Sequence, residues 1–245
     1  MISFPPLFNI LLRSIISSRS RNSHCFSSKL SFEFDRNFPL PELAVFDLDM
    51  CLWSPEMYTL DEIPTESSKI FGPLGSFGDG IIGLKSGNEV IKLFPAALSV
   101  LQEIYVDKYP GLRVAIASSS NTPLAVKIAR KSLSMLEVLP GVTVREVVGK
   151  GWETGFEGNV QIGRSSPLSA DKSRSHFPII RRETKIDYNR MIYFDDCIWD
   201  DHCYAVMTYC PGVIAQSTPR GFQLDEWGIA LSKYQQKFLR PNTSD

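Results

Sequence analysis

The sequence predicts an α/β fold: a doubly wound parallel (Rossmann-like) sheet with helices on both faces and a small β-hairpin flap insertion. Three observations support this. Short apolar runs such as 43–46 and 191–194 are typical of fully buried strands. Segments with helical spacing of apolar residues alternate with these runs. A 245-residue chain with 43% hydrophobic and 22% charged residues can form one sizeable core.

The first 32 residues differ from the rest of the chain. They contain no Asp or Glu, nine serines and four basic residues, namely Arg13, Arg19, Arg21 and Lys29. An acid-free, Arg- and Ser-rich amino terminus is typical of a plastid or mitochondrial transit peptide. We therefore expect residues 1–32 to be an organelle-directing or disordered leader and residues 33–245 to form the folded domain. A secretory signal remains an alternative, and without a working leader the chain would be cytoplasmic.

Charge and hydropathy limit the classes of partner. The net charge of −1 argues against a nucleic-acid binder driven by bulk charge. Without the leader, 22 basic and 27 acidic residues remain, so the near-neutral total combines a cationic leader with a mildly acidic domain. No membrane span is expected, because prolines and an arginine interrupt the apolar run near the amino terminus. The oligomeric state cannot be predicted.

The first half of the domain contains two predicted strands and the flap. The strands are residues 43–46 and 113–117, each a short apolar run. Residues 53–94 lie between them and form the flap insertion. Its second half has apolar runs on both sides of Lys85-Ser86-Gly87-Asn88, which is typical of a β-hairpin. Pro95 then opens a helix, because proline is favoured in the first helical turn.

The second half of the domain continues the alternation of helices and strands. Thr122-Pro123 opens a helix in the same way, and three later apolar runs resemble strands. The predicted elements, in order, are a helix over 123–136, a strand over 142–148, a hairpin-like excursion over 151–163, a helix over 172–183, a strand over 191–194, a helix over 201–205, a strand over 206–210 and a helix over 225–238.

Polar residues follow three of the predicted strands. Asp47 and Asp49 follow the first strand, Ser118 and Ser119 follow the second, and Asp195 and Asp196 follow the strand at 191–194. Lys172 starts a predicted helix between the last two. Because ligands of such sheets bind outside the carboxyl ends of the strands, we expect these side chains to meet at one edge.

Crowded carboxylates at this edge indicate a cation among them. Hard oxygen ligands with open positions suit Mg²⁺, which retains waters and binds substrate phosphate. An aspartate beside such a metal can attack phosphorus, and a second aspartate can protonate the leaving oxygen. A serine hydroxyl and a lysine can hold the remaining phosphoryl oxygens. Each motif alone is a weak signal, whereas their order along the chain is specific.

That order resembles the haloacid dehalogenase superfamily of phosphatases and, more narrowly, its magnesium-dependent phosphatase family. The resemblance covers about residues 41–227 and implies a Mg²⁺-dependent phosphatase. By position, it implies that Asp47 is the nucleophile that forms an aspartyl-phosphate and that Asp49 is the general acid/base. It also implies phosphate binding by Ser118, Ser119 and Lys172, and metal binding by Asp47, Asp49, Asp195 and Asp196, with Asp49 contributing its main-chain carbonyl.

Two departures from the family pattern concern substrate binding. Relatives often carry Arg after the serine of the second motif, where this chain has Ser119. The family lysine usually lies three residues before a His-Phe pair, whereas Lys172 lies four before His176. Either Lys172 or Arg174 could therefore be the phosphate-binding cation.

The substrate class stays open at this point. A small flap leaves the site accessible, so a small metabolite phosphate and a phosphotyrosine-type peptide are both compatible. A receiver-like phosphoacceptor module and a non-catalytic relative of the phosphatases are the alternative functions. Five cysteines without CxxC spacing indicate reduced thiols, and Cys197, His202 and Cys203 follow no familiar zinc-binding pattern.

Overall fold

The computed structural model describes residues 39–197 and 201–239. The predicted leader, residues 1–32, lies outside the described residues, so its role as a transit peptide stays a prediction. In chain order the elements are β1 (Leu43–Phe46), β2 (Trp53–Ser54), β3 (Lys69–Pro73), β4 (Asp79–Ser86), β5 (Glu89–Leu93), α1 (Pro95–Tyr105), β6 (Arg113–Ser118), α2 (Pro123–Leu133), β7 (Glu137–Leu139), β8 (Val142–Thr143), α3 (Val144–Gly149), β9 (Val160–Ile162), α4 (His176–Thr184), β10 (Met191–Asp195), α5 (His202–Tyr209), β11 (Ile214–Ser217) and α6 (Leu224–Leu239).

A five-stranded parallel sheet with the order β11-β10-β1-β6-β9 organises the domain. β1 is central, and its last residue, Phe46, lies opposite Ile116 of β6 and Phe194 of β10. All four residues of β1 are buried, as expected for a strand covered on both faces. The predicted α/β fold class is confirmed, and the register aligns the ends of β1, β6 and β10.

The two faces of the sheet pack against different helices. Ala44 and Phe46 point into one core, where the rings of Phe46 and Trp227 of α6 stack 6.4 Å apart. Leu43 and Val45 point into the second core, together with residues of α4 and α5. This alternation follows from the two-residue period of a strand. Helices on both faces make β1 rigid, and its carboxyl end is therefore a firm support for a site.

The insertion after β1 is larger than a hairpin. β4 and β5 form the predicted hairpin around Gly87, whose φ of +57° suits a tight turn. β3 and β2 extend it to a four-stranded antiparallel sheet with the order β2-β5-β4-β3. Trp53 of β2 pairs with Leu93 of β5, and the Phe94 N–H donates to the Leu52 carbonyl at 2.9 Å. The flap is therefore closed at its base, a few residues from the end of β1.

The predicted strand over 142–148 is wrong. Only Val142–Thr143 is extended, and α3 follows because Thr143 and Glu146 form a capping box. The fifth strand of the central sheet is instead β9, inside the segment predicted as a hairpin-like excursion. Three residues in a glycine-rich stretch give too short an apolar pattern to predict this strand.

Two further elements differ from the prediction in their boundaries. The strand over 206–210 is wrong, because α5 continues through this segment and β11 begins only at Ile214. Lys172 lies in the turn before α4 rather than at the start of a helix. The carboxyl-terminal helix is confirmed as α6. None of the helices in the described part of the chain is long and apolar enough to cross a membrane.

Candidate active site

A cavity of about 300 Å³ opens at the carboxyl ends of β1 and β6. Residues that directly follow β1 and β10, the end of β6 and the turn before α4 contribute to its lining. Among them are the predicted site residues Asp47, Asp49, Ser118, Ser119, Lys172 and Asp196. Asp195 adjoins them through its contact with Lys172. The structure thus brings all the predicted side chains together at one edge of the sheet.

Lys172 bridges two of the aspartates. Its Nζ lies 2.7 Å from Asp47 Oδ1 and 2.6 Å from Asp195 Oδ2, and the lysine side chain is only 1% exposed. Burial alone would lower the pKa of Lys172, but Asp195 and Asp47 outweigh it and raise that pKa. Burial likewise opposes ionisation of Asp195, yet Lys172 and His202 hold the pKa of Asp195 well below its usual range. Lys172 and Asp195 therefore form a buried ion pair, whereas burial outweighs Lys172 at Asp47 and raises the pKa of that carboxyl group.

The flap holds the carboxylate of Asp49. The Trp53 indole N–H donates to Oδ1 at 2.9 Å, and the Met57 main-chain N–H donates to Oδ2 at 3.0 Å. Burial, followed by the nearby charge of Asp47, raises the pKa of Asp49 to about 7. This side chain can therefore gain and lose a proton near neutral pH while its geometry stays fixed.

Three carboxylates form a cluster suited to a metal. One oxygen each from Asp47, Asp195 and Asp196 lies within 4.8 Å of the others. Burial, together with Asp47 and Asp195, raises the pKa of Asp196 to about 8, because a further negative charge is disfavoured there. A cation would relieve this repulsion. The Asp49 side chain faces Trp53 and Met57 instead, so its share in a metal site would be its main-chain carbonyl.

A buried histidine fixes the position of Ser118. The Ser118 carbonyl accepts from His176 Nε2 at 3.0 Å, so that nitrogen carries the proton, and Nδ1 accepts from the Ser175 hydroxyl at 3.0 Å. Burial, with the charge of Lys172, lowers the pKa of His176 to about 4. The Gly163 N–H donates to the same carbonyl at 2.8 Å. The Ser118 hydroxyl lies at the cavity wall, 3.4 Å from that of Ser120.

The structure separates the two candidate cations. Lys172 lines the cavity, whereas the Arg174 guanidinium is exposed, lies 4.7 Å from the Tyr209 ring centroid and pairs with Asp171 at 3.2 Å. Ser119 also lines the cavity, and its carbonyl accepts from Arg164 Nε at 2.8 Å.

Several lining residues escaped the sequence analysis. Glu56 and Tyr58 come from the flap, where Glu56 precedes the short 3₁₀ helix Met57–Thr59 and Tyr58 lies within it, and Arg164 follows β9. None of them belongs to a strand end that the sequence predicts. Trp53 is close to the Asp47 motif in the sequence, but its side chain is fully buried and supports Asp49 instead of facing a substrate.

The chain is similar to a protein family, to a hydrolase relative and to a solved phosphatase domain. The family model described as Acid Phosphatase matches residues 39–237. A HAD-like hydrolase superfamily protein of Schizosaccharomyces pombe is 26% identical over 161 residues, which cover 66% of this chain and 78% of the relative. Among solved structures, the N-terminal part of a Bacteroides fragilis protein, containing a phosphatase domain complexed with Mg, has 16% identity and a TM-score of 0.38. That match covers 80% of this chain, which spans only 39% of the solved chain.

The matched segment contains every lining residue of the cavity. The prediction of a phosphatase of the haloacid dehalogenase superfamily is confirmed, and with it the prediction of an enzyme. Since the match extends over most of the chain and over the whole site, the protein belongs to the acid phosphatase family.

Proposed function

We propose that this phosphatase hydrolyses phosphate monoesters with Mg²⁺ and forms an aspartyl-phosphate on Asp47. The observation that carries the proposal is the pairing of two different carboxyl groups in one cavity. Asp47 is held by Lys172 at 2.7 Å, whereas Asp49 is held by neutral donors and has a pKa of about 7. Two carboxyl groups with different environments support two different roles, nucleophile and proton carrier.

The donor set of the site supports Mg²⁺ as the cofactor. Asp47, Asp195 and Asp196 offer only carboxylate oxygens, which a hard divalent cation prefers. They would hold the ion, with the main-chain carbonyl of Asp49 as a further ligand. When bound, Mg²⁺ supplies positive charge that neutralises the phosphoryl oxygens and lowers their repulsion of the nucleophile.

In the first half of the reaction, Asp47 displaces the leaving group. A carboxylate oxygen of Asp47 attacks phosphorus while the bond from phosphorus to the ester oxygen breaks. Asp49, in its protonated form, gives its proton to the departing oxygen, so a neutral alcohol leaves. The Ser118 hydroxyl and the Lys172 ammonium hold the transferred phosphoryl oxygens, with Ser119 beside them.

In the second half, water releases the phosphate. Asp49, now ionised, takes a proton from a water molecule as that water attacks phosphorus. The bond between phosphorus and Asp47 breaks, and inorganic phosphate leaves. An acid with a pKa near 7 suits both halves, because it can give a proton in the first and accept one in the second at neutral pH.

The cavity supports a small substrate or the tip of a larger one. It measures about 300 Å³, and Tyr58 at its mouth is 57% exposed. A small metabolite phosphate and a phosphotyrosine-type side chain are both of suitable size. The Arg164 guanidinium at the wall would contact an anionic group of the leaving alcohol.

The test traps the intermediate. We expect the purified chain to hydrolyse an aryl phosphate with Mg²⁺ and to lose this activity with a chelator. The Asp49→Asn variant, which lacks the base for the second half, should accumulate phosphate on the peptide containing Asp47, as read by mass spectrometry after acid quench. The Asp47→Asn variant should show neither turnover nor label. Full activity of Asp47→Asn, or label on another residue, would refute the mechanism.

A further inference from the structure

A second cluster of metal-ligating side chains lies beside the three carboxylates. Asp195 ends β10, Cys197 follows two residues later, and His202 is the first residue of α5. One ligand atom from each lies within 4.8 Å of the others, and His202 Nδ1 is 3.3 Å from Asp195 Oδ2. A thiol, an imidazole and a carboxylate thus converge on one point.

The donors of this cluster differ from those of the neighbouring one. Asp47, Asp195 and Asp196 offer oxygen alone, whereas Cys197 adds sulfur and His202 adds nitrogen. Sulfur and nitrogen ligands favour Zn²⁺ over Mg²⁺, and three protein ligands plus one open position form a common zinc arrangement. From these donors we propose that Cys197, His202 and Asp195 form a second metal site, selective for Zn²⁺, that shares Asp195 with the oxygen cluster.

The cluster is held in place without a metal. The Cys197 main-chain N–H donates to Asp195 Oδ1 at 2.9 Å, which fixes the turn after β10. Asp201 caps α5 through an oxygen that accepts from the Tyr204 N–H at 2.9 Å, which fixes the first turn of the helix and with it His202. Ligands positioned in advance lose little conformational entropy when an ion binds.

The cluster is also reachable from solvent. Cys197 and His202 both line the cavity that contains Asp47 and Asp196. A zinc ion can therefore enter by the route that the substrate uses, and the fourth ligand position can take water or a phosphate oxygen. Binding would release the thiol proton, because the thiolate is the form that ligates metals.

Zinc at this place would inhibit the reaction, a consequence that rests on the proposed function. Asp195 Oδ2 faces both His202 and Lys172, whose Nζ is 2.6 Å away. A zinc ion bound between His202 and Asp195 would neutralise the Asp195 carboxylate. It would also repel the positively charged ammonium group of Lys172. Asp195 is then withdrawn from the oxygen cluster, and Lys172 loses one of its two partners.

The site is tested with cobalt, which substitutes for zinc and reports sulfur ligation. The full, reduced, metal-free chain is titrated with Co²⁺, and we expect the thiolate-to-cobalt charge-transfer band in the near ultraviolet. Cys197→Ser should abolish this band, and His202→Asn should weaken Co²⁺ binding by about tenfold or more. Cys203→Ser, a matched change at the buried cysteine next to His202, should keep it. Absence of the band from the wild-type chain, or its persistence in Cys197→Ser, overturns the site.

Inhibition is measured separately with an aryl phosphate and excess Mg²⁺. The Zn²⁺ concentration that gives half-inhibition should be at least about tenfold higher for Cys197→Ser than for the wild type. For Cys203→Ser this concentration should equal that of the wild type. Equal inhibition of Cys197→Ser and the wild type refutes the regulatory consequence. The cobalt spectrum can be recorded without catalytic turnover. If the protein shows the band but has no phosphatase activity, the metal site is supported and only the proposed reaction is refuted.

Discussion

The central sheet has a cavity at each end, and the two differ in size and in the solvent exposure of their ion pairs. The cavity at the amino ends of β1 and β6 measures about 780 Å³ and contains the ion pair Lys150–Asp107, at 2.7 Å, with side chains 32% and 71% exposed. The cavity at the carboxyl ends measures about 300 Å³, yet its pair Lys172–Asp195 is 1% and 0% exposed. The smaller cavity therefore contains the buried charges.

This difference indicates that buried charge, rather than cavity volume, distinguishes the candidate active site. Moving charges out of water costs several kcal/mol per ion, so a chain selected for stability alone rarely buries them. An exposed pair such as Lys150–Asp107 costs little and contributes little. The following predictions test this distinction, from the largest expected effect to the smallest.

The first prediction concerns Asp47, the proposed nucleophile. Asp47→Asn keeps the shape of the side chain but removes the attacking charge, so kcat/KM should fall on the order of 10³-fold or more. The measurement is steady-state hydrolysis of an aryl phosphate, with circular dichroism as the check on folding. A well-folded variant that retains most of the activity would assign the nucleophile to another residue.

The second prediction concerns the buried bridge. Lys172→Met leaves Asp47 and Asp195 without their cation, and the free energy of unfolding should fall by about 3–5 kcal/mol, as for other broken buried pairs. Urea denaturation measures this change, and activity should be lost as well. Arg174→Met is the control, because the Arg174–Asp171 pair is exposed. If Arg174→Met abolished activity instead, Arg174 would be the phosphate-binding cation.

The third prediction concerns His176 and pH. Its pKa is about 4 in the folded chain, because burial and Lys172 disfavour the charged form, whereas its ordinary value is 6.5. Between these values the unfolded chain binds the extra proton, so this histidine makes stability fall as pH falls from 6.5 to 4. The contribution should reach at most about 3 kcal/mol.

His176→Gln isolates this contribution from those of the aspartates. The variant keeps a polar side chain but cannot titrate, so urea denaturation of both proteins is compared from pH 7 to pH 4. We expect the stability of the wild type relative to the variant to decrease as pH falls. A difference independent of pH would mean that His176 is protonated equally in both states.

The charged residues of the candidate site were easier to predict from the sequence than the elements around them. Asp47, Ser118 and Asp195 each follow a buried apolar strand, and parallel pairing brings strand ends to one edge whatever the loops do. The charged residues at the centre of the site were therefore predictable from the order of the strand-end motifs along the chain. β9 was not, because three residues between glycines carry no periodic signal, although Thr143 and Glu146 did offer a capping-box signal for α3.

The walls of the site depend on long-range folding. Glu56 and Tyr58 reach the cavity only because the flap closes at its base, and Arg164 reaches it only because β9 joins the sheet beside β6. His202, the first residue of α5, lies 3.3 Å from Asp195, the last residue of β10, so this contact joins two different elements. Such contacts follow from tertiary packing, which no local pattern in the sequence encodes.

The last prediction concerns the larger cavity. Lys150→Met removes an exposed ion pair and the hydrogen bond to the Tyr105 carbonyl at 2.6 Å, so the free energy of unfolding should fall by no more than about 1 kcal/mol. Because Lys150 lies at the opposite end of the sheet from Asp47, kcat/KM should equal that of the wild type. Urea denaturation and aryl phosphate hydrolysis test both parts. If Lys150→Met lost activity without losing stability, the larger cavity would be coupled to the candidate active site. The solvent exposure of a charged pair would then not predict whether that pair affects activity.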